Sequence, residues 1–403
     1  MVASAGDSLV RQFEFATASR IVFGRGRASE IGSLASGLAG MPGSEKRAFL
    51  ITGMTSAEGN LGIAAIPEIL RSQGFHVAEH RCSGEPTVSV VRLATAAGKE
   101  HAPHVVVAVG GGSVLDTGKA VAALLSNAGD PEDYLEGVGT GRTFERPAVP
   151  LIAVPTTAGT GSEVTRNAVV KADDGSFKKS MRSAFLLPKC ALVDSNLTHS
   201  LPERSTTYTG MDALTQLIEA FTSNAANPLT DCLAIRGIQL VATSLERVVA
   251  DGSCADARDD MSLAALLSGI CLANAGLGAV HGLVAPLGAR FSVPHGAGCA
   301  ALLAPVIEAN SRALRRQDAS HPCLEKYRTV EEAFALRSRA ANKGLAQIIR
   351  ALVTDLRVPG LRYWGVSLEA IPDLVKKSRG GSMRYNPVEL GDEELATIIE
   401  AAL

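Results

Sequence analysis

The stretch HVVVAVGGGSVLDTGKAVAALL, His104 to Leu125, decides how the rest of the chain is read. Val105, Val106, Val107 and Val109 form a short β-branched run without charge, the pattern of a strand buried on both faces of a parallel sheet. The run stops on Gly110, Gly111 and Gly112, where the missing Cβ atoms let backbone N–H groups come close to a ligand. Ser113 and Asp116 then open a helical pattern carried by Val114, Leu115, Ala120, Val121, Leu124 and Leu125. A strand, a glycine turn and a helix start together favour an anion, since unpaired N–H groups and the helix dipole point at the turn. The expected ligand is a phosphate or pyrophosphate. A glycine-rich βα turn is also a common way for α/β proteins to turn a corner, and G-x-G-x-x-G is absent here; Gly24-Arg25-Gly26 reads as a surface turn.

Outward from this stretch, Phe13–Phe23 reads as a strand or hairpin. Ala48–Thr52 and Phe75–Arg81 read as strands, Ile63–Gln73 and Val88–Glu100 as helices, and Pro150–Val154 as the next buried strand. Alternation at this spacing predicts a parallel, doubly wound sheet whose ligands sit at the carboxyl ends of its strands. Pro155-Thr156-Thr157-Ala158-Gly159-Thr160-Gly161-Ser162-Glu163 is dense in hydroxyls suited to phosphate, ribose or amide. From about Leu197 strand patterns vanish and Ala/Leu-rich helical segments follow. The fold class expected is an α/β dinucleotide-binding domain over residues 1–190 and an all-helical domain over 191–403.

Length and composition bound the function. A chain of 403 residues has room for two cores. Its net charge of -2 leaves no basic field for nucleic acid, and 4% aromatic residues leave little to stack on bases. The seven cysteines, Cys82, Cys190, Cys232, Cys254, Cys271, Cys299 and Cys323, are scattered and never form C-x-x-C. They read as free thiols in a reducing, cytoplasmic setting, with neither a disulfide frame nor a zinc site. Asp7, Arg11 and Glu14 interrupt any signal-peptide core, and Ser268, Asn274 and the glycines within Met261–Val280 make that apolar run a buried helix of a soluble domain with no membrane partner.

In the helical half, Asp212 and Gln216 stand at i and i+4 and share one helix face. His281 closes the apolar run and His295 follows in VPHGAGCA. A carboxylate, an amide and two imidazoles can surround one divalent metal, although a histidine in apolar company is as readily a satisfied core residue.

Five blocks, GGGSVLDTGKA (110–120), PTTAGTGSEVT (155–165), LVDSNLT (192–198), GMDALTQLIEAF (210–221) and AVHGLVAPLGA (279–289), resemble in sequence and order the signature blocks of the iron-containing (group III) alcohol dehydrogenase family. The resemblance runs from about Phe13 to the C-terminus. It implies an NAD(P)-dependent oxidoreductase acting on CH–OH donors, with an active-site cleft between an α/β and a helical domain. It implies that Gly111, Gly112, Ser113 and Asp116 hold the pyrophosphate and nearby ribose, that Thr156, Thr157, Thr160 and Ser162 line the nicotinamide side, and that Lys178 and Leu197 contact ribose and nicotinamide. Asp212, position 216, His281 and His295 would bind iron, zinc or manganese, with Asp212, His281 and His295 catalytic. The substrate would be a small alcohol or aldehyde, and the enzyme a homo-oligomer.

Three positions depart from the family. Gln216 replaces a histidine and, as a hard neutral donor, should weaken zinc or iron(II) more than manganese or magnesium. Ala285 replaces a histidine that relays the proton, leaving water or the ribose to carry it. Gly53 replaces an aspartate on the adenosine ribose, so NADP is admitted beside NAD. These departures leave two alternatives open: a metal-independent oxo-acid reductase similar to the maleylacetate reductases, with Arg166 and Arg290 on a substrate carboxylate, and a cofactor-binding scaffold without turnover.

Overall fold

The computed structural model describes residues 12–40, 45–54, 59–335 and 344–403. Asp7 and Arg11 of the signal-peptide reading therefore lie outside the described residues.

Six parallel strands form the first layer: β1 (Arg20–Phe23), β2 (Lys46–Gly53), β3 (Phe75–Cys82), β4 (Val105–Gly110), β5 (Leu151–Pro155) and, after a separate antiparallel hairpin of β6 (Asn167–Lys171) and β7 (Lys178–Arg182), β8 (Cys190–Val193). Their order is β1-β8-β5-β4-β2-β3. The central strands β4, β5 and β8 are buried at every residue, as uncharged runs between two helical layers must be. The helices on the faces are α1 (Ile31–Ala39), α2 (Leu61–Ala64), α3 (Ile66–Ser72), α4 (Val88–His101) and α5 (Gly112–Ser126). Chain direction across the sheet reverses between β4 and β2, which places the ligand crevice at the carboxyl ends of those strands.

Three readings are refined. Phe13–Phe23 yields only the four residues of β1, because Ala16 spends its backbone on the Asn274 side chain: its N–H donates to Oδ1 at 2.7 Å and its carbonyl accepts from Nδ2 at 2.9 Å. The helix expected over Ile63–Gln73 breaks at Ala65, with Pro67 inside the first turn of α3, where its missing N–H costs nothing. The β6–β7 hairpin, turned through Asp173-Asp174-Gly175, has no counterpart among the strands expected from sequence.

From Glu203 onward the described residues are helical: α6 (Glu203–Thr222), α7 (Pro228–Ala250), α8 (Ala255–Ala275), α9 (Ala279–Phe291), α10 (His295–Gln317), α11 (Pro322–Ala335), α12 (Leu345–Asp355), α13 (Ile371–Ser378) and α14 (Asp392–Ala401). They surround one core centred on α6, which is buried on nearly all sides from Gly210 to Thr222. The apolar run expected as one helix is two: α8 ends at Gly276, whose φ of 70° no helix continues, and α9 leaves at 103°. His281 thus lies in the first turn of α9 and does not end a helix. No single described helix is long and apolar enough to cross a membrane.

Candidate active site

α6 carries Asp212, Gln216 and Glu219 on one stripe, all within the core and exposed by 5% or less. Polar groups buried this deeply need partners. Glu219 takes two at the start of α9: its Oε1 accepts the Val280 N–H and its Oε2 pairs with His281 Nδ1, each at 2.6 Å. A carboxylate accepts only, so Nδ1 carries a proton and Nε2 turns toward the cluster, where a bound metal would take the place of its second proton. That Nε2 lies 3.4 Å from Asp212 Oδ1. His295, at the first residue of α10, brings its own Nε2 to 3.4 Å from the same oxygen. Close backbone packing sets this position, for a Cβ on Gly296 would fall 1.9 Å from the Tyr208 carbonyl of α6.

The fourth group is Cys299, one turn beyond His295 on α10 and fully buried. Its Sγ is 3.7 Å from Asp212 Oδ1 and 3.9 Å from His281 Nε2, and the four ligand-type atoms all lie within 4.8 Å of one another. No disulfide joins any of the seven cysteines, as expected, and Cys299 alone among them lies within this cluster of ligand-type atoms. Charge follows the geometry. Burial opposes an imidazolium at His281, but the Cys299 sulfur and the carboxylates of Glu219 and Asp212 outweigh it and hold the ring well above its ordinary pKa. His295, with 43% of its side chain exposed, is likewise raised above its ordinary pKa by the neighbouring Cys299 sulfur and Asp212 carboxylate. Asp212, despite burial, is held far below the usual carboxylate range by the two histidines. Two nitrogens, an oxygen and a sulfur converging beside buried negative charge form a donor set suited to a divalent cation.

Gln216 is engaged elsewhere: its Oε1 accepts from Ser268 Oγ at 3.2 Å, and the same hydroxyl reaches the Gly159 carbonyl at 3.3 Å. The amide thereby links α6 to the hydroxyl-rich loop after β5. That loop is wedged against the helices, since Gly161 has a φ of 59° and a Cβ there would meet the Gly269 Cα of α8 at 2.4 Å.

On the sheet side, Gly53, Gly110 and Pro155 end β2, β4 and β5 together, and Thr156 N–H bonds the Gly110 carbonyl at 3.0 Å. Gly110, Gly111 and Gly112 are absent from the residues with positive φ, so close approach is what excludes side chains. A Cβ would lie 3.2 Å from Thr157 Cγ2 at Gly111 and 2.8 Å from Thr160 at Gly112. No side chain caps α5 at Gly111, so its first turn, with Ser113, offers N–H groups to an anion. Asp116 and Ser162 face each other instead: Ser162 Oγ donates to Asp116 Oδ1 at 2.5 Å, Val169 N–H to Oδ2 at 2.9 Å, and the buried Lys119 lies 2.9 Å from Oδ1. This pair braces the loop and β6. Lys178, opening β7, is tied to Glu85, and Leu197 is buried against Gly62 in the 3-10 turn Ser195–Thr198. Ala285 is exposed, one turn beyond His281. Arg290 is spent on Asp373 at 2.8 Å, and the Arg166 backbone carbonyl receives the Ser183 N–H.

A dinucleotide-type crevice joined by one loop to a largely buried cluster of metal-ligand atoms is an arrangement that fits an oxidoreductase with a metal centre. Comparison places it more closely. Residues 18–195 match the model for iron-containing alcohol dehydrogenase and residues 206–403 that for the C-terminal part of the Fe-containing alcohol dehydrogenase family. The chain is 33% identical over 369 residues to alcohol dehydrogenase 4 of Saccharomyces cerevisiae (strain YJM789), covering 89% of this chain and 91% of the relative. Among solved structures, a 1,3-propanediol oxidoreductase superposes with a TM-score of 0.88 at 31% identity over 98% of this chain and 100% of its own. Sulfoacetaldehyde reductase from Bifidobacterium kashiwanohense, in complex with NAD+, gives 0.85 at 28% over 97% and 99%. The chain belongs to the iron-containing alcohol dehydrogenase family. It is an oxidoreductase of alcohols and aldehydes of the kind that uses NAD(P) and a divalent metal.

Proposed function

We propose that this enzyme interconverts a small alcohol and its aldehyde or ketone with NAD or NADP, holding the substrate oxygen at the Asp212–His281–His295 centre. The convergence of both imidazole Nε2 atoms on Asp212 Oδ1, each at 3.4 Å, carries this reading. Asp212, His281 and His295 would hold a divalent metal, which would supply Lewis acidity toward the substrate oxygen. Glu219 fixes the His281 tautomer, and the buried wall of α6 and α9 excludes water around Asp212. Gly111, Gly112 and Ser113 cradle the pyrophosphate at the start of α5, with Thr156, Thr157 and Thr160 lining the ring side and Lys178 and Leu197 contacting ribose and nicotinamide. Asp116 and Ser162 position the loop, since each is occupied by the other. With Ala285 unable to titrate, solvent at the exposed edge of His295 takes the alcohol proton.

The chain divides between the sheet and the helices. We place that boundary past β8, since Cys190–Val193 is a sheet strand, a few residues after the 190/191 division expected from sequence. The two family matches, ending at 195 and starting at 206, support this. The free thiols suit a cytoplasmic enzyme, and a homo-oligomer without nucleic-acid partners is the assembly to look for by light scattering. The test of function is NAD- and NADP-linked oxidation of short alcohols, before and after chelation, with elemental analysis of the purified protein. Activity lost on chelation and restored by one metal is the expected result, with D212A and H295A inactive. Undiminished turnover in a metal-free enzyme or in both variants refutes it. The oxo-acid alternative keeps less support, because Arg290 is already paired with Asp373.

A further inference from the structure

We propose that the thiolate of Cys299 is a ligand of the metal in this site, completing the set Asp212, His281, His295 and Cys299 in place of Gln216. The inference rests on the metal-dependent reading above and goes beyond it by naming a donor that the family pattern does not supply.

Spacing is the first support. Around a tetrahedral ion with bonds of about 2.0–2.1 Å to nitrogen and oxygen and about 2.3 Å to sulfur, neighbouring N and O donors lie about 3.3–3.4 Å apart, and sulfur lies about 3.6 Å from each of them. The separations here are 3.4 Å for Asp212 Oδ1 to both imidazole Nε2 atoms, and 3.7 and 3.9 Å from Cys299 Sγ to Asp212 Oδ1 and His281 Nε2. Four of the six edges of such a tetrahedron thus have nearly the required length, and the four donor atoms all lie within 4.8 Å of one another. Helix geometry is the second support: His295 and Cys299 are i and i+4 on α10, so one rigid element delivers two donors to one point. The third is what Gln216 is doing. Its oxygen faces Ser268 Oγ at 3.2 Å, a hydroxyl whose single proton is shared among this amide and the Gly159 and Ala265 carbonyls, so the amide is turned toward the contact between α8 and the loop.

The substitution changes the chemistry of the centre. A thiol gives up its proton to solvent as it coordinates, so the set carries two anionic donors where Asp212 alone would give one. Sulfur is also soft, and the preference moves toward zinc or iron(II) and away from manganese and magnesium, the reverse of what Gln216 as a ligand would impose.

The experiment uses metal-depleted full-length protein titrated with Co2+, then competed for Zn2+ against a chromogenic chelator, in wild type, C299A, C299S and Q216A. Circular dichroism of each metal-free protein establishes that it is folded. Wild type and Q216A are expected to show the near-ultraviolet thiolate-to-cobalt charge-transfer band. C299A and C299S should lack it and bind Zn2+ more weakly by at least the roughly 10-fold that losing even an outer orienting partner costs. If wild type binds Co2+ without that band, or C299A keeps it, Cys299 is not a ligand while the metal site stands. Loss of metal binding in Q216A alone overturns the proposal in favour of the amide. If wild type takes up neither ion, this proposal and the metal-dependent reading both fall.

Discussion

Replacing Glu219 by glutamine should loosen the metal centre without touching a metal ligand. In the native arrangement one carboxylate accepts two hydrogen bonds, from the Val280 N–H and from His281 Nδ1–H, both at 2.6 Å. Glutamine has a single acceptor oxygen. If that oxygen keeps Val280, the amide NH2 faces His281 Nδ1 and donates to it, driving the proton to Nε2 and closing the nitrogen that points at Asp212. If it keeps Nδ1–H, the NH2 group confronts the Val280 N–H, and that buried donor loses its partner at a cost of about 1–3 kcal/mol. Losing such an orienting partner costs about 10- to 100-fold in metal affinity, or about 1.4–2.7 kcal/mol. Competition for Zn2+ against a chelating dye measures this directly, and the melting temperature of the metal-free protein separates orientation from stability. An E219Q enzyme that binds Zn2+ within twofold of wild type refutes the reasoning. A fall in melting temperature with unchanged affinity would make Glu219 a cap for α9 and nothing more.

Glu163 supplies a pH test. Burial pushes its carboxyl from 4.5 to about 7, against the weaker pull of its own backbone N–H and Lys119. The folded chain then holds a proton that the unfolded chain has lost between those values, so its stabilising effect is complete below the unfolded pKa and is lost as pH rises through the folded one. The amount is about 3 kcal/mol, and E163Q should gain on wild type in melting temperature from pH 5 to pH 8, whereas a constant difference would contradict the assignment. Lys119 is buried against Asp116, Thr165 and the Asn167 carbonyl; K119A, which leaves the Asp116 carboxylate only the Ser162 hydroxyl and the Val169 N–H, should cost about 1–3 kcal/mol in urea unfolding, and an unchanged stability would argue against a buried pair. G269A sets a Cβ 2.2 Å from the Gly161 carbonyl, so the loop after β5 must move off α8. The expected result is a raised KM for NAD(P) and about 1–3 kcal/mol of lost stability, and unchanged kinetics would detach that loop from the cofactor.

What could be read from the residues, and what could not, divides by the range of the interaction. The β4–glycine–α5 unit is decided within a few residues by β-branched density and the helical period, and its structure follows that reading nearly residue for residue. Asp212, His281 and His295 were nameable only because their sequence blocks resemble a family; nothing local says that α9 and α10 return to α6. Glu219 shared their status, standing seven residues beyond Asp212 on the same face, yet a glutamate in a helix looks like surface until the helix is known to be buried all round. Direction is the harder matter. Asp116 and Ser162 sit in the right blocks for a dinucleotide, and the sequence cannot say that they turn toward each other, because the choice depends on the β6 backbone at Val169. Cys299 shows the same limit from the other side. Its spacing from His295 is a ligand spacing only if a helix begins at His295, and that start is set by the contact of Gly296 with the Tyr208 carbonyl, more than eighty residues earlier in the chain. A pattern search for paired cysteines passes over a thiol whose partners are a carboxylate and two imidazoles. If Cys299 is the ligand proposed, the metal preference rests on a tertiary contact, and position 216, where the sequence departs from its family, marks the site of the change but not the residue that answers it.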